Sequence, residues 1–440
     1  MCNPRERSKP STSYAREGIQ RVYLTVSNLL LLVLFLAIVP TALASSTWYV
    51  DGVNGSDSND CKSPQTACKT IGHAISLASS GDSVMVAPAT YTENLTVNFS
   101  LKLIGAGAST TIVDGGGVNI VVYLSNSSTH VALSNLTIRN GYAPLGGGIL
   151  NDSATMTINN SNISGNIAED PSDDYPAGGG IATFGTLTIN NSAVSRNRTI
   201  NGYDGSGDGI YNGGTLTIND STLTENSGSN SYTYGGAIYN SGGTLVINRS
   251  TLNGNDAPNG CGGGIDNEQG TLTINNSTLS GNSASDDAAG GGICNESSGT
   301  VSINNTTLSG NSAAYGGGIS SVGTVTLQNS IVASPKGVSN CAGTMTSNGY
   351  NLSSDNTCNF NNTGDLNNTK PLLGRLQHNG GQTQTRALLT GSPAIDAGNP
   401  KGCTDGEGHL LKTDQRGKPR PDKEDYGVGC DMGAYERQSD

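Results

Sequence analysis

Gly214-Thr-Leu-Thr-Ile-Asn219 is followed at once by Asp220-Ser-Thr-Leu-Thr-Glu-Asn226 and, after a short polar stretch, by Gly235-Gly-Ala-Ile-Tyr-Asn240. Leu216 and Ile218 alternate with Thr215, Thr217 and Asn219, a period of two that marks a strand with one buried face. Leu223 and Ile238 supply inward positions in the next two elements, which makes about three short strands joined by sharp turns. The same order of elements returns along the chain. Gly-Thr-Leu-Thr-Ile-Asn occurs at 185–190, 214–219 and 270–275, with variants starting at Ala154, Gly243, Gly299 and Gly323, spaced 24 to 31 residues apart. One such unit cannot bury its apolar face alone, whereas stacked units can. The expected fold is therefore all-β: a right-handed parallel β-helix with about three strands per coil, each coil adding about 4.8 Å.

Asparagine keeps the same beat. One column is Asn159, Asn190, Asn219, Asn248, Asn275 and Asn304; another is Asn166, Asn197, Asn226, Asn255, Asn282 and Asn311. Asparagine tolerates left-handed backbone at turns, and its amide can bridge to the next coil. The columns read as hydrogen-bonded ladders in preference to glycan acceptors, although many members fall in N-x-Ser/Thr sequons. The Gly-Gly-(Gly/Ala)-Ile elements read as tight corners, because no helix follows to form a phosphate loop and the calcium-binding glycine repeat is absent.

The strand isoleucine and the second-column asparagine stand eight residues apart in every unit from Ile158 to Asn311. From that asparagine to the next corner isoleucine the distance falls from 15 residues to 8. Insertions therefore collect at one corner and line one edge of the rod, which is where repeat proteins carry function. This edge holds Asp173, Asp174, Tyr175, Tyr203, Tyr232, Tyr234, Asp286 and Asp287. Tyrosine offers an apolar face to a sugar ring and carboxylates take its hydroxyls, so these are the candidate glycan-binding residues; Ca²⁺ is the one cofactor such carboxylates suit.

Catalysis is the weaker reading. Between 135 and 335 the only basic residues are Arg139, Arg196, Arg198 and Arg249. A lyase acting on a uronate needs a base, and a hydrolase needs an acid–base carboxylate pair. Arg196, Arg198, Asp204 and Asp208, around the long loops, are the residues such a reading would use. A purely structural envelope protein is a third possibility.

Composition agrees with a solenoid. Of 440 residues 62 are glycine and 48 asparagine, while 13% are charged and 5% aromatic, which excludes a helical bundle. The net charge is −12; five basic and two acidic residues lie in residues 1–44, leaving 18 against 33 beyond them. Such a chain repels nucleic acid and anionic lipid. Arg5, Arg7, Lys9, Arg16 and Arg21 precede an apolar run from Leu29 to Val39, and Ala42-Leu-Ala44 supplies a small-x-small site. That is the layout of a secretory signal peptide over residues 1–44, with an uncleaved anchor as the alternative.

Export would leave eight cysteines where disulfides persist. Neighbour pairing gives Cys61–Cys68, Cys341–Cys358 and Cys403–Cys430. Cys261 precedes its glycine corner and Cys294 follows its own, an offset of about 16 Å at strand rise against the roughly 7 Å a disulfide spans. These two are expected not to pair. No Cys/His group has zinc-site spacing, so no metal site is expected from that source.

Ile71, Ala74, Ile75 and Ala78 fall at i, i+3, i+4 and i+7, the one amphipathic helix of the mature chain. It belongs to an N-terminal cap over residues 45–93, followed by the repeats at 94–335. Residues 336–440, richer in basic residues and cysteine, form a C-terminal cap or anchor-like region.

Two stretches resemble known families. Gly235-Gly-Ala-Ile-Tyr-Asn240 and Leu279-Ser-Gly-Asn282, with their relatives over about 135–335, resemble the repeats of chlamydial polymorphic outer-membrane proteins, with Leu or Val where that family has Phe. That resemblance implies a β-helical surface adhesin, without the family's autotransporter barrel. Gly391-Ser-Pro-Ala-Ile-Asp-Ala-Gly398, Asp414-Gln-Arg-Gly417, Arg420-Pro421 and Asp431-Met-Gly-Ala-Tyr-Glu436 resemble the C-terminal choice-of-anchor domain of bacterial secreted β-helix proteins. Tyr49-Val-Asp51, Cys68-Lys-Thr-Ile71 and Gly81-Asp82 are similar to the start of pectate-lyase-like proteins. Within the tail, Asp396, Asp414, Arg416, Arg420, Asp431 and Glu436 read as an ion-pair network in preference to a catalytic set. The expectation is a secreted or cell-surface monomer, envelope-associated in one variant, that binds polysaccharide or a surface glycan without turning it over. The alternative is a polysaccharide lyase or hydrolase.

Overall fold

A computed structural model describes residues 45–172, 175–285, 287–422 and 429–438. The leader and Asp173, Asp174 and Asp286 lie outside them. Among the described residues three parallel sheets of 12, 11 and 10 strands run the length of a right-handed β-helix. The first sheet carries the Thr-Leu-Thr-Ile-Asn strands, such as Thr186–Asn190, Thr215–Asn219 and Thr244–Asn248, each paired in register with the next. The second carries Ala193–Ser195, Thr222–Thr224 and Thr251–Asn253; the third carries Ile181–Thr183, Ile210–Asn212, Ile238–Ser241, Ile265–Glu268 and Ile293–Asn295.

Because like pairs with like, each inward position becomes a stack. Leu187, Leu216, Leu245 and Leu272 form one, Ile189, Ile218, Ile247 and Ile274 a second, and Ile181, Ile210, Ile238, Ile265 and Ile293 a third, all fully buried. At roughly 25 cal/mol per Å² of apolar surface, this core is what drives the coils together.

Both asparagine columns form ladders. In the buried one, Asn226 Nδ2 donates to Asn255 Oδ1 at 2.9 Å and to Val194 O at 3.0 Å, and the pattern repeats at Asn255 and Asn282. In the half-buried one, Asn219 Nδ2 donates to Asn190 Oδ1 at 2.9 Å. A third ladder, unforeseen in the sequence, runs inside the third sheet through Asn212, Asn240, Asn267 and Asn295.

At the N-terminal end the helix Ile71–Leu77 buries Ile71, Ala74 and Ile75, with Thr70 as its N-cap. The sheets take strands beyond residue 335, at Cys341–Gly343, Thr346–Ser347 and Leu352–Ser353. The rest of the tail runs back along the outside of the second sheet. Gln415 Nε2 donates to Thr251 Oγ1, Thr278 Oγ1 donates to Gln415 Oε1, and Ala434 N donates to Thr307 Oγ1. The tail is a strap on the side of the rod as well as a cover at its end.

Cys61–Cys68, Cys341–Cys358 and Cys403–Cys430 are bonded as expected. Cys261–Cys294 is bonded too, with Cα atoms 5.7 Å apart, and this corrects the sequence reading. The 16 Å offset holds only along an extended strand. Gly262 and Gly290 instead adopt φ of +73° and +66°, and the corner folds so tightly that a Cβ on Gly290 would stand 2.7 Å from Cys294 Cα. The residue before a glycine corner thus returns beside the one after the isoleucine.

Candidate functional site

On the third sheet, alternation turns the residue after each corner isoleucine away from the core. Register stacks these outward positions as Ala182, Tyr211, Tyr239, Asp266 and Cys294. The rings of Phe184, Tyr211 and Tyr239 follow one another at 5.6 Å between centroids. The row ends at a cavity of about 340 Å³ lined by Tyr175, Asp204, Ser206, Tyr234, Tyr239, Asp266, Glu268 and Glu296. The inserted loops build its outer wall: Asp204–Ser206 and Tyr232–Tyr234 pair as two extra parallel strands outside the third sheet. The Cys261–Cys294 bridge ties the adjoining coils together.

Among the described residues, four carboxylates and no basic side chain line this cavity. Asp266 is 1% exposed, and neither of its carboxylate oxygens has a hydrogen-bond partner. Burial, reinforced by the nearby Glu296 and Glu268, pushes its carboxyl well above the usual range. Burial and Glu268 also raise Glu296, and burial raises Asp204. Tyr239 Oη donates to Glu268 Oε2; burial first and that bond second raise its phenol.

The sequence candidates divide. Tyr175, Tyr234 and Asp204 line the cavity. Tyr203 and Tyr232 stack edge to face on each other, 5.4 Å between centroids, outside it. Asp287 is exposed and is not among the lining residues. Arg196 and Arg198 line a separate groove with Asn197, Glu225 and Ser227, so the structure does not bring them to Asp204. Arg196 Nε is already engaged, 2.8 Å from Glu225 Oε2.

Asp208 lies fully buried beneath the loops, where its Oδ1 accepts from Thr199 N at 2.9 Å and Thr199 Oγ1 at 2.6 Å. It is not among the residues that line the cavity. Tyr239, Asp266, Glu268 and Glu296, which also line the cavity, lie on the third sheet or just after its strand Ile293–Asn295, outside the insertions. The signal was present: the residue after each corner isoleucine is an outward position, and there Tyr, Tyr and Asp succeed one another.

No family model and no curated protein matches the chain. Among solved structures, pectate lyase Pel9A is similar over 90% of this chain and 98% of its own, with a TM-score of 0.53 and 15% identity. A complex of XylC with xylose covers 89% of this chain and 98% of its own, with a TM-score of 0.46 and 9% identity. The likeness to Pel9A establishes the pectate-lyase-like right-handed β-helix fold; at that identity the fold is all it establishes.

Proposed function

We propose that this chain is an exported, non-catalytic β-helix protein that binds a glycan along the outer face of its third sheet. The observation that carries the reading is the row Phe184, Tyr211 and Tyr239, one ring per coil, running into a carboxylate-lined cavity. Aromatic faces stack on pyranose rings and carboxylates take their hydroxyls. A pectate lyase sharing the fold supports a polysaccharide as ligand. Export rests on the leader at 1–44 and agrees with the four disulfides.

A glycan array probed with the secreted protein and with Tyr211→Ala and Tyr239→Ala tests this. Binding by wild type that both variants weaken supports it; no bound glycan, or binding indifferent to both, sinks it. N-terminal sequencing of the exported protein checks cleavage after Ala44.

A second reading, glycoside hydrolysis, draws on Asp266. Asp266, Glu268 and Glu296 line one cavity, and burial pushes the Asp266 carboxyl well above its usual range, which is the arrangement an acid–base pair uses. Release of reducing ends from array-positive glycans, abolished by Asp266→Asn, would replace the binding reading with this one.

A further inference from the structure

We propose that the glycan taken by the third sheet is a polymer of amino sugars, held through its protonated amines; this rests on the glycan-binding reading and narrows it to one ligand class. Register lays out the face. Outward positions of successive coils stack as Tyr211, Tyr239 and Asp266, so a sugar chain lying along the rings runs directly onto an acid. Asp266 and Glu268 are two apart on one strand and share its outward side. Asn267 and Asn295 are paired across adjacent coils, which sets Glu296 beside Glu268. Asp204, on the inserted strand Asp204–Ser206, adds a fourth carboxylate from the outer wall.

Two independent features of the cavity point to an organic cation. The first is charge. Among the described residues that line it, none is basic. After burial, the charges acting on these groups are acidic throughout: Glu296 and Glu268 on Asp266, Glu268 on Glu296, and Asp204, Glu296 and Asp266 on Tyr234. A polyuronate laid here would set carboxylate against carboxylate, whereas an ammonium meets complementary charge. The second feature is aromatic. Tyr234 and Tyr239 both line the cavity, with ring centroids 6.5 Å apart and planes tilted by 55°. Ring faces attract an ammonium just as the carboxylates do, and a neutral hydroxyl gains from neither charge.

The layout of the acceptors sets the size of the cation. They are spread around the cavity: no three of the four carboxylates have oxygens within 4.8 Å of one another. A substituted ammonium has three N–H donors and reaches separate acceptors, each at ordinary hydrogen-bond length. Asp204, Glu268 and Glu296 are half-buried and offer oxygens at the rim, while Asp266 forms the floor. The cavity, at about 340 Å³, falls at the lower end of small-ligand sites. The rings beyond it decide between a polymer and a lone polyamine. Phe184 and Tyr211 continue the face one coil at a time, which is what a chain of pyranose rings would lie on.

Chitosan oligosaccharides and their fully N-acetylated counterparts share one backbone and differ in charge, so the pair isolates the amine. Calorimetric titration of the full-length protein at about pH 6, below the range of an ordinary amine, is expected to show the free-amine form binding roughly tenfold tighter or more. Polygalacturonate is expected not to bind. Glu268→Gln and Glu296→Gln are each expected to cut the preference for the free amine about threefold or more. Glu225→Gln, in the separate groove of Arg196, is expected to leave it intact. Circular dichroism checks each fold, and either cavity variant decides if the other does not fold. Equal binding of the two forms, a preference that both folded variants retain, or binding of polygalacturonate overturns the proposal and leaves glycan binding standing. So does binding confined to neutral glycans. Binding of polylysine without chitosan also overturns it, and gives the cavity to a basic peptide. A protein that binds no glycan at all loses the glycan reading together with this one.

Discussion

Two carboxylate clusters sit on this rod, and they are built on opposite plans. In the tail strap, Glu436 Oε2 lies 2.7 Å from Arg420 Nε with both side chains fully buried, and it also accepts from Asp431 N. Asp414 pairs with Arg416 and accepts from the backbone of Arg416, Lys418 and Glu436. Asp431 accepts from Asp396 N and Arg437 N. At the third sheet Asp266, Glu268, Glu296 and Asp204 line a cavity with no basic side chain among the described residues. Acids of the first kind hold the chain to itself. Acids of the second kind have no such partner, and burial together with neighbouring carboxylates raises Asp266 and Glu296 above the usual carboxylate range.

The largest effect that tests this contrast belongs to Arg420. Its Nη1 also donates to Asn276 Oδ1 on the rod at 2.7 Å, so the same guanidinium closes the tail network and docks the strap. Replacing it with Met strands Glu436 in the interior, and breaking one side of a buried pair costs about 3–5 kcal/mol. Arg420→Met should lower the urea midpoint and expose the strap to limited proteolysis. A silent variant would mean that the tail is not held by these charges.

Next comes the buried ladder. Asn255 gives Nδ2 to Leu223 O and Asn282 Oδ1, while its own Oδ1 takes the N–H and the amide of Asn226. Leucine in its place orphans groups on two neighbouring coils, at about 1–3 kcal/mol. The half-buried Asn219 should cost less on the same substitution. Equal costs, measured by thermal melts, would show that burial does not set the ladder's worth.

The sequence made the core legible because a β-helix places identical residues in identical positions. Leu216 and Ile218 need only a period of two, and the recurrence of their motif supplies the register. What was not legible depended on distances across a corner. Cys261 and Cys294 looked far apart because the left-handed turns at Gly262 and Gly290 are invisible to residue counting. Asp266 looked like part of a corner because nothing in the chain announces that Tyr234 and the inserted strands will close over it. Of the residues expected to form ion pairs in the tail, Asp414 meets Arg416 and Arg420 meets Glu436, whereas Asp396 reaches Asp431 through its backbone N–H; the direction in which the strap runs was not legible.

Asp208 stands between the two plans, with Oδ1 bonded to Thr199 and Oδ2 without a partner. Burial pushes its carboxyl from 3.8 up to about 7. The native state therefore holds this proton over a pH range in which the unfolded chain has lost it. Its contribution to stability is complete below the unfolded value, declines as pH rises toward 7 and is gone above it. Asp208→Asn should flatten that slope, which three pKa units put at about 4 kcal/mol across the window. Melts at pH 4, 6 and 8 would show it; an unchanged slope would mean that water reaches Oδ2.

Asp266→Asn sharpens the comparison by its sign. It should melt no lower than wild type, and up to roughly 0.5–2 kcal/mol higher, because a buried carboxyl without a hydrogen-bond partner gives way to a neutral amide. Arg420→Met moves the other way. If Asp266→Asn destabilised as strongly, Asp266 would belong with the tail acids and the case for an external partner would weaken.

The smallest effect lies in the groove of Arg196 and Arg198, which carries a salt bridge yet follows neither plan. Arg196 meets Glu225 at 2.8 Å, but the two side chains are 74% and 58% exposed. Water screens such a pair, and holding two long side chains together costs entropy, so it contributes about 0.5 kcal/mol or less. Arg196 also sits at a φ of +53°, where a side chain gains nothing from its backbone. Arg196→Ala should therefore leave the melt within about 0.5 kcal/mol of wild type and leave glycan binding intact. Loss of glycan binding in that variant would move the binding face from the third sheet to the corner beside it, and the tyrosine row would then be packing alone.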